Sequence, residues 1–327
     1  MQTSQKRFPA QLIILLLSAV LAIAGCSTRA SDPATVARYL APVPDGETAA
    51  HTPAFIVKEP QHQYNRIGSP AIRPTASGMA VAIVDPEQPT LFFETTAFTT
   101  PRGTYRNLVY RVHFPEVPFF WTSPNLTAGK NPGLLIIYTL DNQDRLLLVT
   151  TVHTCGCYLA FLPTPLLDRA RYPADWPEGE QSVFGYRLPA RVEPPGNDGQ
   201  RLAFTLESQT HRIAAVDHAD PGDRPGEEVA MQLAPMRSLH ALPYEGGVSS
   251  FFETSGPRHG YVRNNTKILE RLLISWWAFD WRVGEDKAFA GDDTSPAIFY
   301  TSLKFWARKA SDMKDFPNFL AYWGWDL

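Results

Sequence analysis

The amino-acid sequence predicts an α+β fold: a β-rich antiparallel sandwich or open barrel with an α-helical C-terminal part packed on it. Two observations carry this expectation. Between residues 54 and 260, short runs rich in Val, Ile, Leu, Phe, Thr and Tyr are closed by Pro, Gly, Asn or Asp, the mark of strands separated by turns. After Gly260 the apolar period lengthens, and Thr266–Trp281 places Leu269, Leu272, Leu273, Trp276 and Trp277 at helical spacing.

The strands expected in order are Met79–Val84, Thr90–Ala97, Tyr105–Phe114, Leu134–Leu140, Arg145–Tyr158, Val183–Leu188, Arg201–Leu206, Arg212–Val216 and Val229–Leu233. Asp141-Asn142-Gln143-Asp144 joins two of them as a polar hairpin turn. In the C-terminal part, residues 261–327, Asn265 is a suitable N-cap for the long helix. Ala297–Lys309 and Ser311–Tyr322 also read as helices, the latter broken or kinked at Pro317. Residues 26–53, rich in Ala, Thr, Pro and Asp, read as a flexible tether.

The chain begins with Lys6 and Arg7, a 13-residue apolar run from Leu12 to Ala24, and then Gly25-Cys26. A spanning helix needs roughly 20 residues, so residues 1–25 read as a signal peptide. Ile23-Ala24-Gly25-Cys26 resembles the lipobox of bacterial lipoproteins. The resemblance, which covers only these first 26 residues, implies cleavage before Cys26 and acylation of its thiol and new N-terminus. Two or three acyl chains hold a protein on a bilayer durably. Ser27 stands where an Asp would favour inner-membrane retention, so the resemblance implies the periplasmic face of the outer membrane.

After cleavage, 28 Lys+Arg stand against 33 Asp+Glu, a balance with no basic footprint for nucleic acid. With 44% hydrophobic and 19% charged residues the chain can bury a substantial core. Its 29 prolines imply many turns and few long helices before residue 260. There is no nucleophile elbow, P-loop or dinucleotide fingerprint, so the sequence leans away from an enzyme.

The chemistry-bearing cluster is His153-Thr154-Cys155-Gly156-Cys157. On one continuous strand, His153, Cys155 and Cys157 would point to the same face, roughly 6.6 Å apart. That spacing is too wide for a disulfide, but Gly156 can bend the chain and bring the sulfurs together. Several chemistries fit: a soft-metal site for copper or zinc, a structural Cys155–Cys157 disulfide, a labile redox disulfide, or two inert thiols. His62, His113, His211, His218 and His259 are possible further ligands. Arg258 and Arg263 precede the long helix and could complete an anion site at its N-terminus. Asp280, Glu285, Asp286, Asp292 and Asp293 read as a solvated acidic loop.

The aromatic group Trp276, Trp277, Phe279, Trp281, Trp306, Trp323 and Trp325 reads first as core. The alternative is an interfacial belt on a bilayer, with Trp323 and Trp325 as its pair. The functional expectation is a lipid-anchored envelope protein that binds a soft metal or holds a thiol pair at His153, Cys155 and Cys157. The alternative is a scaffolding lipoprotein with a structural disulfide and an unidentified envelope partner.

Overall fold

A computed structural model describes residues 35–77, 79–196, 199–223, 226–289 and 295–327. The expected signal peptide, residues 1–25, and Cys26, Asp292 and Asp293 lie outside the described residues. Residues 35–327 form one compact unit.

Strands β1 (Val36–Leu40) and β2 (Ala54–Lys58) precede a hairpin of β3 (Ser69–Pro74) and β4 (Ala80–Asp85). A long hairpin follows, β5 (Thr90–Thr100) and β6 (Gly103–His113), then the short pair β7 (Glu116–Val117) and β8 (Gly129–Lys130). β9 (Gly133–Leu140), β10 (Leu146–His153) and β11 (Ala160–Pro163) run as a meander, followed by the small hairpin β12 (Glu180–Val183) and β13 (Tyr186–Pro189). β14 (Arg201–Leu206), β15 (Ile213–Ala219), β16 (Glu227–Ala230) and β17 (Gln232–Pro235) come next. A last hairpin, β18 (Leu242–Tyr244) and β19 (Gly247–Ser249), leads to helices α1 (Ile268–Ala278) and α2 (Phe316–Tyr322).

Two sheets dominate, ordered β15-β14-β2-β1-β16 and β11-β10-β9-β6-β5-β17. The fold is α+β as expected, but the sheets are mixed and not purely antiparallel: β1 with β16, β14 with β2 and β17 with β5 pair in parallel. The centre of the larger sheet is buried on both faces, so β9 and β10 read as continuous apolar runs and not as alternating ones. Leu108, Tyr110, Leu134, Ile136 and Tyr138 meet Tyr39, Phe55 and Phe204 of the smaller sheet. On the opposite face Val109, Leu135, Ile137 and Val152 meet Phe251, Phe299, Phe319 and Trp325 of the C-terminal layer.

Several boundaries differ from those expected. The tether ends before Val36, because Ala37 and Tyr39 alternate into the core and β1 lies hydrogen-bonded between β2 and β16. Residues 297–309 contain only a 3-10 turn, Phe305–Ala307. There the backbone amides of Phe299 and Thr301 turn sideways to Asp312 and Ser311 and leave no i→i−4 ladder. Pro317 opens α2, where its missing N–H costs no helical bond, and does not kink it.

Helix α1 is inverted relative to expectation. Its apolar positions Ile268, Leu272, Leu273, Trp276 and Trp277 face solvent, whereas Glu270 and Ser275 are buried. Trp276 is 72% exposed and Trp306 71%, yet Trp325 is 2% exposed against Phe161 and Trp176. Half-buried Trp323 donates its indole N–H to Thr301. The tryptophans nominated for an interface are therefore packed inside, and most of those nominated for the core are outside.

Because Tyr39 is a core residue of a paired strand, Tyr39→Ala should destabilise the protein by about 3–5 kcal/mol. Chemical denaturation checks this, and a cost near zero would return residues 36–40 to the tether.

Candidate functional site

The strand carrying the cysteines stops at His153. The amide of Gly156 bonds His153 O at 2.7 Å and that of His153 bonds Cys157 O at 2.9 Å, closing Thr154–Cys157 into a turn. Gly156 makes the turn possible: its φ is +89°, and a Cβ there would collide with Tyr300 O. The period of two therefore does not extend to Cys157, and the three expected ligands part company. His153 points to His211 O at 3.1 Å and meets the Tyr158 ring, whereas both cysteines line a cleft of about 660 Å³ on the far side of the turn.

Among the described residues, no three His, Cys, Asp or Glu side chains stand close enough to hold a metal. The copper or zinc site expected of His153, Cys155 and Cys157 is not assembled. Nor do the other histidines supply ligands: His211 lies on the Phe114 ring and bonds Tyr64 O, His113 takes the Nε–H of Arg111, and His62 stacks on Tyr64. Cys155 and Cys157 are free thiols, and the expected disulfide is not formed. Burial pushes the Cys155 thiol up, but the neighbouring Cys157 thiol and the Lys267 charge bring it below its ordinary range. Cys157 is held well above its own by the neighbouring Cys155 and by burial.

A buried charged network surrounds this turn. Lys267 Nζ lies 2.9 Å from Asp286 Oδ2, with both side chains almost fully enclosed. Thr154 Oγ1 donates to Asp286 Oδ1, Gly133 N approaches the same oxygen at 3.4 Å, and Asp286 N bonds Asn265 Oδ1 at 2.7 Å. Burial alone would push the Lys267 ammonium down, but the Asp286 carboxylate raises it well above its usual range. Burial likewise works against the Asp286 charge, and Lys267 with the Thr154 hydroxyl draws it below the ordinary carboxylate value. Lys287 Nζ donates to Cys155 O and Glu285 O, both at 3.0 Å. Glu270, from the inner face of α1, stands 3.9 Å from Cys157 Sγ, and Gly284 leaves room for its carboxylate. Burial raises the Glu270 carboxyl above its ordinary value.

The remaining sequence candidates take other parts. Arg258 pairs with Glu285 at 3.1 Å, and Arg263 donates to Ser249 Oγ and to Ala80 O. Both guanidiniums are occupied by protein groups, and Asn265 holds Asp286 in place of capping α1, whose N-cap is Lys267. These residues form no anion site. The described residues of the acidic stretch are not solvated loop either: Glu285 and Asp286 are buried and Asp280 accepts the Tyr300 hydroxyl. Sequence reading missed Lys267, Glu270 and Lys287. The available signal was Glu270 and Ser275 on a helix whose other residues are apolar apart from Arg271, which points to a polar surface on its inner side.

No family model, curated protein or solved structure matches this chain. Among the described residues no helix is long and apolar enough to cross a membrane.

Removing one partner of the enclosed pair, by Lys267→Met or Asp286→Asn, should cost about 3–5 kcal/mol, whereas the double variant Lys267→Met/Asp286→Leu should recover part of it. Urea titration of the three proteins decides this, and additive losses would contradict it. A second expectation concerns acid. Burial lowers His153 to about 3 and His211 to about 4, so both rings stay neutral in the fold well below the pH at which the unfolded chain takes up their protons. Stability should therefore fall as pH drops from about 6.5 towards 4, by up to about 1.4 kcal/mol per pH unit for each ring. The slope should flatten in His153→Gln, as measured by denaturation at stepped pH.

Proposed function

We propose that this chain is a cell-envelope protein, anchored to a bilayer through acylated Cys26, whose cleft presents Cys155 and Cys157 as a dithiol that exchanges with a disulfide on an envelope partner. The observation that carries the reading is two free thiols, one residue apart, on the wall of a cleft of about 660 Å³. Cys155 is the sulfur drawn towards thiolate and Cys157 the more exposed one, so either can open the exchange by attacking the partner's disulfide, and the other then resolves the mixed disulfide. In the net step one S–S bond forms between Cys155 and Cys157 and the partner's S–S bond breaks. Two electrons and two protons pass to the partner, which leaves as two thiols. Lys267 favours thiolate and Glu270 opposes it, so the pair is poised between two buried charges.

The apolar lining of the cleft, with Leu126, Phe161 and Phe184, fits an extended apolar segment around the partner's cysteine better than a charged small molecule. Arg212 stacks over Tyr158 at 4.2 Å and supplies a cationic edge to the same wall.

The test is alkylation with mass detection on the folded full-length protein in dithiothreitol redox buffers. Two thiols per chain should interconvert reversibly with one disulfide without unfolding, and Cys157→Ser should abolish the exchange. Glu270→Gln, which removes a neighbouring negative charge, should speed alkylation at pH 7 by between about three- and tenfold. Stoichiometric copper or zinc in the purified protein, or a pair that reacts only after denaturation, would reject the exchange reading in favour of a metal site or a structural clip. The anchor is tested separately by the mass of the N-terminal peptide, which should carry acyl groups on Cys26.

A further inference from the structure

We propose that the outward apolar face of α1, together with the adjoining 3-10 turn and the loop around Trp121, docks on an anionic lipid bilayer and holds the body against the membrane. In naming that occupant the inference rests on the reading of Cys26 as the anchor.

The face is continuous. Phe279 and Phe305 meet at 5.3 Å between ring centroids, Phe305 and Trp306 at 5.0 Å, and Arg308 ties the turn to α1 by donating to Ala278 O and Phe279 O. Trp276, Trp281 and Phe279 are 72%, 63% and 71% exposed. A monomeric soluble protein rarely leaves such a run of large apolar side chains in water. Phe279 also caps α1 at φ +52°, a left-handed conformation in which glycine is the ordinary residue. A large aromatic side chain is thus present where both solvation and backbone geometry disfavour it.

Two features select a bilayer as the occupant. The first is charge: among the described residues of 264–289 and 295–310, the exposed charged side chains are Lys304 and Lys309, while Glu270, Asp280, Glu285 and Asp286 are all buried or half-buried. Aromatic side chains with flanking lysines match the region between acyl chains and anionic headgroups. The second is chain length. Nine residues lead from Cys26 to Thr35, a span of at most roughly 30 Å.

Thr35 lies at the same end of the body as the aromatic face. Its hydroxyl donates to Gln61, the neighbouring His62 stacks on Tyr64, and Tyr64 meets Phe120 at 6.4 Å, beside Trp121 at 90% exposure. The same loop reaches Leu126, which borders the cleft opposite Ile274 of α1. An acyl anchor on Cys26 would therefore hold this end near the lipid, where burial of each exposed aromatic side chain is favourable.

The experiment uses full-length protein purified from membranes and reconstituted into phosphatidylethanolamine/phosphatidylglycerol vesicles, with and without brominated acyl chains. Bromolipid should quench at least a third of the tryptophan emission. Trp276→Ser/Trp277→Ser/Trp281→Ser should lose at least half of that quenching. Lys304→Glu/Lys309→Glu, confined to the surface and safe for the fold, should reduce it at least twofold on anionic vesicles. Unchanged emission in bromolipid, or equal quenching in all variants, would overturn the proposal. So would concentration-dependent self-association abolished by the tryptophan variant, which would assign the face to a second copy of the chain. Quenching that persists in a chain found unacylated at Cys26 would sink the anchor and leave the docking face standing.

Discussion

The enclosed pair of Lys267 and Asp286 is the constraint on which the C-terminal layer and the cysteine turn both depend. Enclosing two charges costs several kcal/mol per ion, which attraction offsets only where the remaining lone pairs are also satisfied. Here Asp286 gathers a lysine, a threonine hydroxyl and an approaching backbone N–H, and its own amide is fixed by Asn265. Those partners come from three parts of the chain, so satisfying Asp286 joins the end of β10, the start of β9 and the segments flanking α1. Lys287 extends the seam by reaching Cys155 O and, through its own carbonyl, Arg111.

The orientation of α1 follows from that seam. Lys267 and Glu270 lie one turn apart at the start of the helix, and both must face inward, one to Asp286 and the other beside Cys157. A helix has one inner face, so at about 100° per residue Ile268, Leu272 and Trp276 are carried outward together. The exposed apolar stripe is thus the geometric counterpart of a polar inner stripe. A sequence with an ordinary surface helix would carry polar residues at those outer positions.

Much of the sheet framework was legible because the strands end in Pro, Gly, Asn or Asp and because β9 and β10 are unmistakable apolar runs. Arg201–Leu206 coincides with β14, and most other strands are displaced by a few residues. β1 was hidden by its short length and alanine-rich surroundings, since its strand character comes from neighbours distant in sequence. The cysteine site was half legible. Gly156 pointed to a bend, but extending period two across that bend put His153 with the sulfurs, whereas the strand ends at His153 and the chain turns over Thr154–Cys157. Lys267, Asp286 and Lys287 could not be read locally, because a charged residue looks like surface until its partner is known.

The inverted helix also ties the two proposals together. Glu270 and Ile274 line the cleft while Leu272 and Trp276, on the same helix, face outward. A bilayer bound to the outer face would therefore lie within one helix diameter, about 10 Å, of the cleft wall. The cleft would then open close to the headgroups, a setting in which its apolar rim would meet membrane-proximal cysteines of other envelope proteins before those exposed in bulk periplasm. Loss of the aromatic face need not alter the chemistry of the two sulfurs, because their poise comes from Lys267 and Glu270 on the inner side. It would instead change which disulfides come within reach, so partner choice and thiol reactivity are separable on opposite faces of a single helix.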